Sequence, residues 1–109
     1  MTTIKLRKFG RVLLSRPAGL EAFNAIRPTL DPIDRIEIDF SDVLTVTPSW
    51  FDEFLTNLAD FTGGNVELLP TTNASVLAAL PVLAEAREDM VAMIVKRALL
   101  RMGMSGTKV

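Results

Sequence analysis

Arg35-Ile-Glu-Ile-Asp-Phe-Ser-Asp-Val-Leu-Thr-Val-Thr-Pro-Ser-Trp-Phe-Asp-Glu-Phe54 decides the fold, because its apolar period changes partway along. Ile36, Ile38 and Phe40 alternate with Arg35, Glu37 and Asp39, the period of a strand with one face buried. A strand covered on both sides would read as a continuous apolar run, so the outward charges predict a sheet face that meets water. From Thr47 the period becomes helical. Thr47 stands at an N-cap and Pro48 at the first helical position, where a missing amide costs nothing. Asp52 and Glu53 fall in the first turn, at the positive end of the helix dipole. Phe51, Phe54, Leu55, Leu58 and Phe61 then make a stripe, and Gly63-Gly64 stops the helix. Trp50 diverges from Phe51 by about 100° around the helix, which leaves it either an exposed binding anchor or packed beneath the preceding loop.

Working outward toward the N-terminus, Ile4 and Leu6 alternate with Lys5 and Arg7 as a half-buried strand. Gly10-Arg11 reads as a tight turn and Val12-Leu13-Leu14 as a second strand, the hairpin partner of the first. Ser15 caps a helix that Pro17 opens, with Ala22, Phe23, Ile26 and Leu30 on one face; Pro28 and Asp31-Pro32 end it. Beyond Gly64, residues 65–69 read as a strand with Val66 and Leu68 inward. Thr71, Thr72 and Asn73 then cap a short helix that Pro81 ends or kinks. A long helix is predicted over 82–102, followed by a flexible tail at 103–109. The order is β-β-α-β-α-β-α-α. It implies an α/β domain across 1–109 with its core at about 4–80. The expected sheet is mixed and four-stranded, with right-handed crossovers and helices mainly on one face.

Composition narrows the chemistry. The chain has 109 residues, a net charge of −1 and no cysteine, histidine or tyrosine. Disulfides, thiolate chemistry, Cys/His zinc sites and the commonest general base are thereby excluded. Lys5, Arg7, Lys8, Arg11 and Arg16 load the start with base. Asp31, Asp34, Glu37, Asp39, Asp42, Asp52, Glu53 and Asp60 then face Arg35 alone. Strand aromatics for base stacking are missing apart from Phe9, so no nucleic-acid partner is expected. The longest apolar stretch, at 76–84, contains Pro81 and is too short to span a bilayer. A protein without membrane association, in the cytoplasm, is the expectation.

Residues 39–53 also resemble a family signature. STAS domains, found in sulphate transporters and anti-sigma-factor antagonists, carry Asp-apolar-Ser-x-Val at a strand end and then Asp-Ser-Ser-Gly opening an apolar helix. STAS-like domains of unassigned function are closer, with Asp-Phe-Ser-x-Val, a short gap, and Ser-Phe-x-Asp-Glu. Asp39, Phe40, Ser41 and Val43 match the first part; Ser49, Asp52 and Glu53 match the second, with Trp50 in the aromatic place. Leu14-Ser15-Arg16 before the first helix and Asn73 before the third agree with the same pattern. In anti-sigma-factor antagonists the first serine of Asp-Ser-Ser-Gly accepts phosphate. Here Pro48 holds that place, Thr47 replaces the aspartate and Trp50 the glycine, so the usual acceptor is gone and Ser49 is the remaining candidate for phosphorylation.

The resemblance implies a non-enzymatic regulatory module without metal or cofactor. Its partner would be a protein such as an anti-sigma factor or another bearer of a histidine-kinase-type ATPase domain. That partner would bind through Thr47, Ser49, Trp50, Asp52 and Glu53, with Ser15, Arg16, Asp39, Ser41 and Asn73 holding the motif in shape. Two other classes stay open on the residues themselves. One is an assembly subunit that homodimerises through helix 82–102. The other is a metal-dependent enzyme using Asp39, Asp42, Asp52 and Glu53.

Overall fold

The computed structural model describes residues 1–86 and 89–103. The expected tail beyond Gly103 lies outside those residues, as do positions 87 and 88 of the expected helix 82–102. In chain order the elements are β1 (Thr2–Lys5), β2 (Val12–Leu13), α1 (Arg16–Ile26), β3 (Ile36–Asp39), β4 (Thr45–Val46), α2 (Pro48–Thr62), β5 (Val66–Leu68), α3 (Ala74–Ala86) and α4 (Met90–Arg101). The class is α/β.

The sheet is not the expected mixed, four-stranded one. β1, β3 and β5 form a parallel three-stranded sheet in the order β1-β3-β5, and β2 and β4 form a separate parallel pair. The predicted hairpin fails because the link between β1 and β2 is not a surface turn. Leu6–Phe9 form a 3-10 turn, Leu6 is fully buried, and the Phe9 ring packs on Phe54 at 5.6 Å. Apolar side chains thus pull the link onto the core, and each flanking strand pairs with a later one. Thr45 and Val46 supply β4.

The alternation at Arg35 to Phe40 is realised. Ile4, Ile36, Ile38, Val66 and Leu68 are buried on one face, while Thr3, Lys5, Glu37, Asp39 and Glu67 lie on the other. Glu67 ties this polar face together through ion pairs with Arg35 and with Arg101, the latter at 2.8 Å. Arg97 and Arg101 of α4 also donate to the Val66 and Leu68 carbonyls, covering the outer edge of β5. Capped edges of this kind resist further strand pairing.

α2 is the central helix. Its buried positions (Trp50, Phe51, Phe54, Leu55, Leu58, Ala59 and Thr62) form an arc wider than one stripe, because α1, α3, α4 and β5 all contact it. Gly63 closes it in the left-handed conformation, φ 67°. Pro81 does not end the third helix: α3 runs through it to Ala86, held by buried Val76, Ala79, Leu80 and Leu83. The break falls instead at Asp89, whose carboxylate accepts from the amides of Val91 and Ala92 and so starts α4. The core therefore extends past residue 80, taking in Leu83, Val91, Ile94, Val95, Ala98 and Leu99.

Candidate functional site

Three chain segments meet where the sequence motif lies: the start of α1, the β2–β4 pair and the first turn of α2. Thr47 joins them. Its hydroxyl accepts from the Trp50 amide at 3.3 Å, capping α2, and donates to the Leu14 carbonyl at the end of β2. The Thr47 amide bonds the Leu13 carbonyl at 3.0 Å. Thr47→Ala should cost about 1–2 kcal/mol, since a cap and a cross-segment bond go together, and Thr47→Ser should restore most of it. Urea unfolding of the two variants checks this.

Ser15 caps α1 by accepting from the Ala18 amide at 3.2 Å. Next to it, the Arg16 guanidinium donates to Asp52 at 2.9 Å and to Glu53 at 3.2 Å. Those two carboxylates, Asp52 foremost, hold Arg16 still more firmly in its charged form. The structure places Asp52 and Glu53 beyond the first turn of α2, and both are already paired within the chain. Ser49 is exposed.

The other acids are used locally. Asp39 accepts from both the hydroxyl and the amide of Ser41, at 2.6 and 2.9 Å, which closes the turn after β3. Asp42 sits in that turn at φ 66°, a conformation aspartate tolerates better than most residues. Among the described residues no group of three or more carboxylates is gathered for a metal ion. The cluster proposed from sequence is therefore split into an Arg16 pair and a turn.

The Ser41 hydrogen bonds hold the Asp39 carboxyl below its ordinary 3.8. A folded value below the unfolded one means stability that is present above the unfolded value and lost as pH falls through the folded one. Asp39→Asn keeps an acceptor for Ser41 but removes the titration. Its stability should fall less than the parent's between about pH 5 and pH 2, read from denaturant midpoints across that range.

Asn73 works on the far side of β4. Its amide nitrogen donates to the Val43 carbonyl at 2.7 Å and its oxygen caps α3 at the Ser75 and Val76 amides. Ser75 in turn accepts from the Val46 amide at 3.0 Å. One edge of the β2–β4 pair is therefore closed by α3, and the other edge, along β2, has no strand beside it among the described residues.

The structure corrects the exposure considered for Trp50. It is 1% exposed, stacked on Phe54 with centroids 5.0 Å apart and faced by Phe9 at 6.1 Å. Trp50 and Phe51 both reach core because α2 is covered on two sides. Phe51 meets Phe40 of the sheet layer, while Trp50 turns toward α1 and the 3-10 turn. Above Trp50 lies a cleft of about 410 Å³ lined chiefly by Phe9, Val12, Leu14, Ala18 and Glu21. Val12 and Leu14, 54% and 51% exposed, stand beside it. The sequence carried a signal for this that is easy to overlook: three consecutive apolar residues in a short strand cannot all point inward, and here only Leu13 does.

Comparison with family models, with curated proteins and with solved structures found no match to this chain. Among the described residues, no helix is long and apolar enough to cross a membrane.

Proposed function

We propose that this chain is a non-enzymatic, cytoplasmic regulatory module that binds a protein partner through the face around β2 and the first turn of α2. The observation that carries this reading is the apolar ledge of Val12 and Leu14 beside the cleft above Trp50. Single exposed apolar residues are ordinary, but a pair adjoining an apolar concavity suits a partner's side chains. The motif of residues 39–53 supports the same face, since Thr47 ties α2 to Leu14. Trp50 contributes as the floor of the site rather than as its anchor. Resemblance to anti-sigma-factor antagonists favours an anti-sigma factor or another protein with a histidine-kinase-type ATPase domain. Regulation would act at Ser49. Ser49 and Asp52 share a helix face at i, i+3, so a phosphate on Ser49 would compete with Asp52 for Arg16.

Photo-crosslinking in the native host tests the reading. A photoreactive residue at position 12, 14 or 49 should capture one partner, and one at Ile33, 86% exposed elsewhere, should not. Equal capture at all four positions, or none, would refute it.

A second reading has its own observation. Val82, Met93 and Leu100 are all more than half exposed on α3 and α4, which suits a homodimer through that region. Light scattering on the full chain and on Met93→Glu/Leu100→Glu distinguishes a dimer that dissociates from a chain that was monomeric throughout.

A further inference from the structure

The geometry points to a specific mode of partner capture: an extended, acidic peptide segment adds as a strand along the open edge of β2 and sends an apolar side chain into the cleft above Trp50. This rests on the partner-binding reading and goes beyond it by naming the partner's conformation and charge.

Backbone geometry supplies the first ground. In the register Val12↔Thr45 and Leu13↔Val46, the Arg11 and Leu13 carbonyls accept from the Thr45 and Thr47 amides of the β4 side. Alternation along a parallel ladder then turns the Val12 N–H and C=O to the opposite edge, where among the described residues no strand pairs with them. The molecule treats its strand edges unequally. β5 is covered by Arg97 and Arg101, and β4 by Asn73 and Ser75, whereas the outer edges of β1 and β2 have no such cover among the described residues, and of these two β2 adjoins the cleft. Strand addition gains affinity from such main-chain groups and specificity from pockets that take alternate side chains.

Charge supplies the second ground. Lys8 and Arg11 adjoin Phe9 and Val12 in the chain and Arg7 stands one residue further, all are exposed, and among the described residues none of them is paired with a carboxylate. The Lys8 ammonium lies 5.8 Å from the Phe9 ring centroid, and Phe9 is a wall of the cleft. The cleft has one acid, Glu21, on the α1 side. A segment whose apolar residue enters the cleft would therefore meet base on the β2 side, and acidic flanks complement it. Single-stranded nucleic acid is the poorer occupant, because Trp50 is covered and Phe9 is a single half-buried ring beside β2, with no row of aromatic faces among the described residues for successive bases.

The test uses the full chain as bait for a displayed library of random eight-residue peptides. Enriched sequences are expected to alternate apolar residues with Asp or Glu, and bound peptides to shift the amide resonances of Arg11 to Leu14. Arg7→Glu/Lys8→Glu/Arg11→Glu should weaken them about tenfold or more and turn selection toward Lys- and Arg-bearing peptides. N-methylating the peptide amide that pairs with Val12 should cost a similar factor without altering the protein, which guards against a variant that misfolds. No enrichment, a helical i, i+3, i+4 consensus, indifference to charge reversal, or shifts confined to α3 and α4 would each overturn strand addition. Crosslinking at positions 12, 14 and 49 does not depend on strand geometry, so it separates failure of this mode from failure of partner binding itself.

Discussion

Trp50→Ala is expected to destabilise the fold by about 3–5 kcal/mol, the range for deleting a buried aromatic ring. The ring is 1% exposed and stacks on Phe54, with Phe9 packed against both rings. Alanine would leave a void beside the Phe9 and Phe54 rings, and neither can collapse into it fully. The 3-10 turn at Leu6–Phe9 would lose the surface that Phe9 packs on, so the damage should spread to the β1–β2 link. Trp50→Phe should lose well under half as much, because most of the stacked area survives. Urea unfolding decides the matter. A surface anchor would leave the midpoint almost unmoved, within about 0.5 kcal/mol, while abolishing binding. The lone tryptophan reports on itself as well: native emission should be blue-shifted relative to the unfolded chain.

That case shows what could be read from the residues and what could not. The alternation at Arg35 to Phe40 and the caps at Thr47 and Gly63 are local properties, so β3 and α2 were legible within a residue or two. Strand pairing is not local. Ile4 and Leu6 alternate convincingly, yet Leu6 belongs to a 3-10 turn and β1 pairs with β3 thirty-four residues away in register, Thr2 with Ile36. Propensity likewise placed the C-terminal break at Pro81. Packing of Leu80 and Leu83 overrode the missing amide, and the next helix starts at the Asp89 cap. Trp50 was ambiguous for a related reason: a helical wheel gives divergence between neighbours but not how many sides of the helix are covered. The acid cluster failed on partners. Spacing put Asp52 and Glu53 together, and only the fold brings Arg16 across to them.

Gly19→Ala carries the other large effect, and its sign opposes helix propensity. Alanine inside a helix is favoured over glycine by about 1 kcal/mol, so an unhindered site would gain stability. At Gly19 a Cβ would stand 2.4 Å from the Trp50 carbonyl oxygen, 3.2 Å from its carbonyl carbon and 3.3 Å from the Glu53 Cβ. The first two are backbone atoms of a capped helix turn and cannot rotate away. α1 would have to lift off α2, which loosens the Arg16 contacts to Asp52 and Glu53 and opens the cleft between Ala18 and Trp50. Overpacking against yielding side chains costs about 1–3 kcal/mol, and a backbone obstacle belongs at or above the top of that range. The net change should be a loss of about 2 kcal/mol or more after the helix gain is subtracted. A rise in the urea midpoint for Gly19→Ala would mean that α1 does not approach Trp50 this closely. It would also take away the floor and wall on which the proposed peptide site depends.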